Sequence, residues 1–381
     1  MSIDIFKPVE ISGIQFNNRI IRSATHEGMA DENGKPTEKL TRLYTNLAKG
    51  EVGGIITGFI AVSEEGKTTM PGMCSLHTDE NIESFKKMVD EVHKYKTPII
   101  AQIAHCGRYS VVGNKYDINN MDVEEILKII DDFTETAIHC KKAGFDGVQI
   151  HCAHGYFLSE VLSPKKNHRK DDFGGSREKR IYLVQKIIES IRKAMPMYPI
   201  FIKLNGEESV SNGIKADAAA WYAKVMEKAG ASAIEVSRGL QESAFDMARG
   251  QVPIDMILKE YHGVSELPSI VKKIVKLFAK KALIPKKSWR LYNLESAKVI
   301  KKNVNIPVIV VGGVHSVEDC EEAIESGMDI VSLSRPLILE PSLIKKWKEE
   351  KQKNSKCISC NYCLIGVDNR PLRCYFGKLP K

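Results

Sequence analysis

The sequence has no long apolar run and no recognisable export signal. No stretch of its 381 residues approaches the about 20 consecutive apolar residues of a membrane-spanning helix. The N-terminus MSIDIFKPVE also lacks the basic segment followed by an apolar segment that marks a secretory signal. The sequence therefore predicts a cytoplasmic protein that does not enter a membrane.

A basic stripe with interleaved aromatic residues is missing as well. The net charge is +8 and aromatic residues make up 7% of the chain, but the lysines concentrate in one segment, VKKIVKLFAKKALIPKK. We therefore expect no nucleic-acid partner. The positive net charge instead favours a small-molecule ligand of negative charge. The composition, 43% hydrophobic and 27% charged, is that of an ordinary globular protein and is compatible with a homo-oligomer.

Eight short, β-branched apolar runs alternate with segments that are apolar at helical spacing. The runs are RIIRSA near Ile20, GGIITG near Ile55, PIIAQIA near Ile100, GVQIH near Gln149, PIFIKL near Phe201, SAIEVS near Ile234, PVIVVGG near Ile309 and DIVSLS near Val331. Strands that alternate with helices pair in parallel, and eight such units predict a closed (β/α)8 TIM barrel. A doubly wound sheet is the alternative, but no Gly-x-Gly-x-x-Gly turn follows the first strand.

Short segments at the ends complete the predicted architecture. The preface KPVEISGIQFNN predicts an N-terminal hairpin that turns at Gly13 and plugs the bottom of the barrel. We expect the barrel to occupy residues 1–350 and a Cys-rich tail to occupy residues 351–381. The largest predicted loop, residues 238–291, follows the sixth strand. The predicted helix N-caps are Thr37, Asp79, Asp122, Ser176 and Ser316.

Several predicted strands end in polar residues, although barrel interiors favour Val, Ile and Leu. These residues occur in SATH, QIAHCGR, HCAHGY and SAIEVS and at Lys203. A bound polar ligand would give them partners. The loops VGGVHS and LSRPLI follow the last two strands, where such barrels commonly bind phosphate, and glycine lets backbone N–H groups approach it closely. The candidate phosphate-binding residues are Gly312, Gly313, Ser334 and Arg335.

Four long segments agree in sequence, order and barrel position with one known family. They are NNRIIRSATHEGMADENGKPTE, AQIAHCGR, GFDGVQIHCAHGYFLSEVLSPKKNHRKDDFGGSREKR and IPVIVVGGVHSVEDCEEAIESGMDIVSLSRPLILEP. They resemble the old yellow enzyme family of FMN-dependent ene reductases, particularly its 2,4-dienoyl-CoA reductase branch, through nearly all of residues 1–345. The resemblance implies an NADH:flavin oxidoreductase. Such an enzyme would transfer hydride from NAD(P)H through FMN to an activated carbon–carbon double bond. The substrate would be an enone, an enoate or an enoyl-CoA ester.

The resemblance also implies where FMN lies, across the barrel mouth with its phosphate on the loops after the last two strands. The residues implied to contact the flavin ring are Ser23, Ala24, Thr25, His26, Gly58 and Gln102. Lys203 matches a position that is usually Arg in the family and faces the N1 and O2 side of the flavin. A cation there stabilises the anionic reduced form. Lysine keeps the charge but lacks the planar guanidinium.

Three side chains in GFDGVQIHCAHGYFLSE match substrate-binding residues of the family. His151 and His154 match a pair of hydrogen-bond donors to the substrate carbonyl oxygen. Negative charge develops on that oxygen when hydride reaches the β-carbon. Tyr156 matches the phenol that delivers a proton to the α-carbon.

Four of the nine cysteines are clustered in CISCNYCLIGVDNRPLRC. They are Cys357, Cys360, Cys363 and Cys374. This spacing lets thiolates converge on one centre and suits a [4Fe-4S] cluster or a structural zinc ion. The resemblance favours iron, because the dienoyl-CoA reductase branch carries a [4Fe-4S] cluster in a similar place. Those relatives continue into a nucleotide-binding module, whereas this sequence ends at Lys381. Any cluster would therefore be reduced by a separate electron-donor protein or be structural.

Two other functions stay open at the level of sequence. His105, His151 and His154 could bind zinc and an activated water in a TIM-barrel hydrolase. The cysteine tail could instead belong to an electron-transfer or redox-sensing protein that combines Fe-S and flavin. The phosphate loops favour the flavin enzyme over the hydrolase, since a zinc site does not explain them.

Overall fold

A closed ring of eight parallel strands forms the centre of the chain. The computed structural model describes residues 4–260, 264–282 and 289–378. Its strands are β1 (Val9–Ile11), β2 (Ile14–Phe16), β3 (Ile20–Arg22), β4 (Ile55–Ile56), β5 (Ile60–Ala61), β6 (Cys74–Ser75), β7 (Ile99–Ala104), β8 (Gly147–Cys152), β9 (Ile200–Glu207), β10 (Ala233–Arg238), β11 (Val308–Val311) and β12 (Ile330–Leu333). The barrel order is β4-β3-β12-β11-β10-β9-β8-β7, and pairing of β4 with β7 closes the ring. The predicted (β/α)8 barrel is confirmed, and the doubly wound alternative is wrong because the sheet closes.

Helices alternate with the barrel strands on the outer face of the sheet, and short helices in the loop after Ala233–Arg238 and in the tail lie at the C-terminal ends of the strands. They are α1 (Glu38–Lys49), α2 (Ile82–His93), α3 (Val123–Lys142), α4 (Phe157–Leu162), α5 (Arg177–Arg180), α6 (Tyr182–Ala194), α7 (Ala216–Ala229), α8 (Ala244–Met247), α9 (Ile254–Glu260), α10 (Ser269–Ala282), α11 (Leu294–Lys301), α12 (Val317–Glu325), α13 (Arg335–Leu339), α14 (Leu343–Lys348) and α15 (Tyr362–Gly366). The predicted loop 238–291 contains α8 to α10, and residues 261–263 and 283–288 of it lie outside the described residues. No helix within the described ranges has the length and apolar character needed to cross a membrane.

Three of the five predicted N-caps are confirmed. The side chains of Asp122, Ser176 and Ser316 each accept a hydrogen bond from the backbone N–H three residues later. Thr37 occupies the N-cap position of α1, but its hydroxyl donates to a carbonyl of the preceding loop instead. The prediction for Asp79 is wrong, because a 3-10 turn precedes α2 and the Asp79 carboxylate pairs with Lys142 at 2.9 Å.

The bottom of the barrel interior is apolar and is closed by the predicted hairpin. Successive side chains of a strand face opposite sides, so every second residue points inward. The inward residues near the N-terminal strand ends are Ile21, Ile56, Ile100, Phe201, Ala233, Ile309 and Ile330, and they pack on Ile11, Ile14 and Phe16 of β1 and β2. Phe16 meets Phe201 edge-on, with ring centroids 6.3 Å apart. The hairpin turns at Ser12 and Gly13, which have left-handed φ values of 50° and 84°.

The tail folds back over the C-terminal ends of the barrel strands. The Leu372 N–H donates to the carbonyl of Glu27 at 2.7 Å, which joins the tail to the segment after β3. The buried Asn361 amide donates to the carbonyls of Ala248 and Gln251 at 2.8 and 3.0 Å. The tail is thereby held against the loops that follow β3 and β10, directly above the barrel mouth.

Candidate active site

A cavity lies at the C-terminal ends of the barrel strands, opposite the hairpin. It encloses about 1470 Å³ of atom-free space, part of which is open to solvent. The predicted ligand-contacting residues that line it are Ser23, Ala24, Thr25, His26, Gln102, His151, His154, Tyr156, Lys203, Gly312, Gly313, Ser334 and Arg335. Gly58 is not part of the lining. Its N–H donates to the carboxylate of Glu27 at 2.9 Å, and the adjacent Phe59 lines the cavity.

A sharp turn after β8 places three predicted catalytic side chains on one wall. The backbone is left-handed at His154 (φ 67°) and Gly155 (φ 76°), and α4 begins at Phe157. The ring centroid of His151 is therefore 5.1 Å from that of His154 and 5.4 Å from that of Tyr156. All three side chains are within reach of one small ligand.

Burial keeps these three groups uncharged. Desolvation lowers the pKa of His151 well below its usual value and lowers the pKa of His154 to about 3, and the nearby Lys203 adds to both effects. Desolvation raises the pKa of Tyr156 above its usual value of 10.0. Nε2 of His154 lies 2.7 Å from Oγ of Ser237, whereas Nδ1 of His151 finds no hydrogen-bond partner among the described residues. At neutral pH the wall holds two neutral imidazoles and a protonated phenol, each able to donate one hydrogen bond.

Flat rings form the neighbouring wall. His26 lies on Phe59 with centroids 4.9 Å apart and planes 6° apart, and Phe59 faces His151 at 6.4 Å and 12°. Burial lowers the pKa of His26, whose Nε2 lies 3.3 Å from the carbonyl oxygen of Pro71. All three rings line the cavity.

The floor of the cavity is a buried polar layer in the barrel interior. Nζ of Lys203 lies 2.8 Å from Oε2 of Glu235 and donates to Oγ of Ser23 at 2.9 Å. The Glu235 carboxylate also accepts hydrogen bonds from the hydroxyls of Ser23 and Ser332 at 2.7 and 2.6 Å. The floor therefore carries one cation and one anion, both hydrogen-bonded.

A glutamine pair extends the same layer. Gln149 donates to Glu235 at 2.8 Å, and Gln102 donates to Gln149 at 2.7 Å. Sequence reasoning identified Gln102 but missed Gln149, Glu235 and Ser332. The signal was present, because each is a polar residue inside an apolar run (GVQIH, SAIEVS, DIVSLS) at an inward-facing position.

The loops after β11 and β12 close one end of the cavity. Gly312 and Gly313 have left-handed φ values of 117° and 74°. A Cβ at Gly313 would collide with the main-chain carbonyl of Trp289, so only glycine fits there. Arg335 lines the same end, and its Nη1 donates to Oδ1 of Asn361 in the tail at 2.7 Å. A cation beside a glycine-rich loop is suited to phosphate.

These features fit FMN. Planar side chains that line the cavity suit a flat heterocycle, and the polar floor offers it hydrogen-bond donors and acceptors. The glycine loop with Arg335 offers a place for the phosphate.

The tail supplies part of the cavity wall, which the sequence did not predict. The lining residues from the tail are Cys363, Leu364, Ile365, Val367, Asp368 and Leu372. Burial raises the pKa of Asp368 to about 6. The cysteine segment therefore borders the site of the ligand.

The four tail cysteines lie near one another. Each pair among Cys357, Cys360, Cys363 and Cys374 is close enough to interact electrostatically. Burial raises the pKa of Cys363 to about 12, and the positive charge of Arg335 opposes that rise. Within the described ranges, no group of three or more His, Cys, Asp or Glu side chains is placed to hold a metal ion. Four thiols are a donor set of the kind that binds [4Fe-4S] or zinc.

His105 lies apart from the other two histidines of the zinc alternative. Its ring packs on those of Tyr116 and Phe157, with centroids 4.5 and 5.3 Å away, and it does not line the cavity. The structure does not bring His105, His151 and His154 together into a three-histidine site.

Sequence comparisons match the chain to oxidoreductases. The family model described as NADH:flavin oxidoreductase / NADH oxidase matches residues 4–120 and 112–249, and a model described as histidine biosynthesis protein matches residues 286–364. The NADH oxidase of Thermoanaerobacter brockii is 30% identical over 397 residues, which cover 97% of this chain and 55% of the relative. The 4,4'-dithiodibutanoate disulfide reductase of Rhodococcus erythropolis is 27% identical over 380 residues, covering 94% of this chain and 92% of the relative. The chain thus spans just over half the length of the NADH oxidase.

Solved structures of two other proteins have the same fold as this chain. The 2-naphthoyl-CoA reductase in complex with 2-naphthoyl-CoA has a TM-score of 0.78 and 23% identity, covering 96% of this chain and 56% of that chain. An old yellow enzyme homologue from Zymomonas mobilis has a TM-score of 0.71 and 20% identity, covering 100% of both chains. These structural matches show the fold. The family model spans more than half of the sequence and implies FMN and NAD(P)H, and with the NADH oxidase match it places the chain in the NADH:flavin oxidoreductase / NADH oxidase family, the old yellow enzyme family of oxidoreductases.

Proposed function

We propose that this protein reduces an activated carbon–carbon double bond with NAD(P)H. FMN, when bound, supplies the chemistry of hydride transfer from the nicotinamide to the alkene. The contacts proposed for it are Ser23, Ala24, Thr25, His26, Gly58, Gln102 and Lys203 at the ring, and Gly312, Gly313, Ser334 and Arg335 at the phosphate. Gly58 itself does not line the cavity, whereas its neighbour Phe59 does.

The observation that carries the proposal is the meeting of two neutral histidines and a protonated tyrosine on one wall. The His151 ring lines the cavity and makes no hydrogen bond to another described residue, and only Nε2 of His154 is engaged, 2.7 Å from Ser237, so each ring keeps a nitrogen for a ligand. Neutral imidazoles that each donate one hydrogen bond stabilise an oxygen on which negative charge develops. A carbonyl oxygen conjugated to the double bond is such an oxygen.

Tyr156 is the proposed proton donor. Its phenol keeps its proton because burial raises its pKa. Its ring is 5.4 Å from that of His151, which binds the carbonyl in this proposal, so the hydroxyl can serve the α-carbon of the same substrate. Enones, enoates and enoyl-CoA esters all have the required carbonyl, and a positive net charge of +8 favours the anionic members of this group.

The four tail cysteines are the proposed ligands of a [4Fe-4S] cluster, with zinc as the alternative. All four thiols lie near one another, and Arg335 places a positive charge near three of them. A positive charge offsets the negative charge that thiolate ligands bring together. In this proposal residues 1–350 are the FMN-binding barrel and residues 351–381 are the cluster-binding tail.

The function is tested with purified protein and a substrate panel. The protein is reduced anaerobically by NADH or NADPH and then mixed with enones, enoates, enoyl-CoA esters and 4,4'-dithiodibutanoate. Reoxidation by at least one alkene with formation of the saturated product supports the proposal. Reoxidation by the disulfide alone would show that the site serves a different acceptor, and a colourless protein that binds no FMN would contradict the whole assignment.

A further inference from the structure

A buried lysine and a buried glutamate form an ion pair under the cavity. Lys203 on β9 and Glu235 on β10 are direct partners across the two strands, and their side chains are only 2% and 0% exposed. Removing two charges from water is costly unless each finds its counter-charge and hydrogen-bond partners. Lys203 lines the cavity, whereas Glu235 lies behind it.

Glu235 has all of its acceptor positions filled. Oε1 accepts from Ser23 and Ser332, and Oε2 accepts from Gln149 and Lys203, all at 2.6 to 2.8 Å. Burial alone would raise the pKa of Glu235, but Lys203 and the other donors outweigh that effect and lower it. Glu235 is therefore an ionised carboxylate. The Lys203 ammonium has three N–H donors, of which Ser23 and Glu235 take two, so one is left for the cavity.

The same carboxylate orients Gln102. An ionised carboxylate only accepts hydrogen bonds, so Gln149 must direct its NH2 group at Glu235 and its carbonyl oxygen at Gln102. Gln102 then gives one N–H to Gln149 and keeps its carbonyl oxygen and its other N–H for the cavity. The Glu235 carboxylate thereby fixes which groups Gln102 presents to the cavity. It also offsets the positive charge of Lys203.

We propose that Glu235 is a positioning residue that sets the redox potential of the bound flavin. It offsets the positive charge of Lys203, which lines the cavity that would hold the flavin, and fixes the direction of the hydrogen bonds from Gln102. A cation beside the ring stabilises the negative charge of the reduced flavin. Because Glu235 offsets that cation, reduction is less favourable than it would be above an unpaired lysine. The inference rests on FMN bound in this cavity, which family membership implies, and does not depend on the alkene substrate.

The test is the midpoint potential of the FMN-loaded protein, measured by equilibration with a reference dye. At a fixed solution potential, Glu235→Gln should raise the ratio of reduced to oxidised flavin at least tenfold. This corresponds to a rise of about 30 mV in the two-electron midpoint potential. Lys203→Met should shift the ratio in the opposite direction. The double variant should lie between the two. Glu208→Gln is the matched control, because Glu208 is a buried, hydrogen-bonded carboxylate directly after β9 that does not line the cavity.

A shift by Glu235→Gln no larger than that of Glu208→Gln, or shifts of the same sign in both single variants, would overturn the proposal. A buried lysine without its partner can prevent folding. If Glu235→Gln does not fold, the test compares Lys203→Met with the double variant Lys203→Met/Glu235→Gln. The proposal requires the double variant to have the higher flavin midpoint potential. Failure of the proposed function would be distinguishable from failure of this inference. The protein would then not reduce any alkene, although its flavin potential would still shift with the Glu235 and Lys203 substitutions.

Discussion

Replacement of Tyr156 by phenylalanine tests the proposed proton donor without disturbing its packing. The residue is 8% exposed, and its ring contacts those of Phe59, His151 and Tyr109 at centroid distances of 5.3, 5.4 and 6.4 Å. Phenylalanine keeps these ring contacts and removes only the hydroxyl. Folding and FMN binding should therefore be preserved.

The loss should be confined to the half-reaction in which the double bond is reduced. A general acid contributes about 10²- to 10⁴-fold, which is about 2.7 to 5.5 kcal/mol of transition-state stabilisation. Reduction of FMN by NAD(P)H takes no proton from the phenol and should proceed at the wild-type rate. Because the pKa of Tyr156 is raised above 10.0, its proton is retained as the pH rises, and the wild-type alkene half-reaction should show no decline from this group up to about pH 9.

Anaerobic stopped-flow absorbance separates the two half-reactions. Tyr109→Phe is the control, because Tyr109 is a half-buried phenol whose ring meets that of Tyr156 edge-on, and it does not line the cavity. A Tyr156→Phe variant that loses rate equally in both half-reactions, or that reduces the alkene as fast as Tyr109→Phe, would refute the assignment.

Three further variants probe the rest of the site. His151→Ala combined with His154→Ala should weaken binding of phenols and enones at least about tenfold, since two donors are lost, while the yellow FMN stays bound; recovery of apo-protein would contradict their position on the substrate side. Arg335→Ala should weaken FMN binding by about 1.5 to 3 kcal/mol, the worth of a hydrogen bond to a charged group, and unchanged retention of FMN on dialysis would place the phosphate elsewhere. Cys360→Ala should remove iron and acid-labile sulfide from anaerobically purified protein but leave FMN, whereas Cys320→Ala should remove neither; stoichiometric zinc without iron in the wild type would refute the cluster.

Local pattern was enough to predict the barrel. The eight apolar runs coincide with β3, β4 and β7 to β12, because parallel strands buried on both faces require continuous apolar sequence. The N-cap predictions were correct where the side chain hydrogen-bonds to the first turn of its own helix, as at Asp122 and Ser316. At Asp79 the prediction was wrong because Lys142, 63 residues away in sequence, takes the carboxylate.

The sequence by itself determined the eight-unit order of strands and helices, the bottom hairpin and the positions of the strand-end polar residues, since these depend on spacing of two or 3.6 residues along the chain. Only the tertiary structure decided which of those residues meet. Glu235 becomes the partner of Lys203 because two strands lie side by side, and the tail enters the cavity wall because Asn361 and Leu372 bind loops far away in sequence. These contacts join residues that are far apart in the sequence and do not follow the repeat of a helix or a strand. A local sequence pattern therefore cannot predict them.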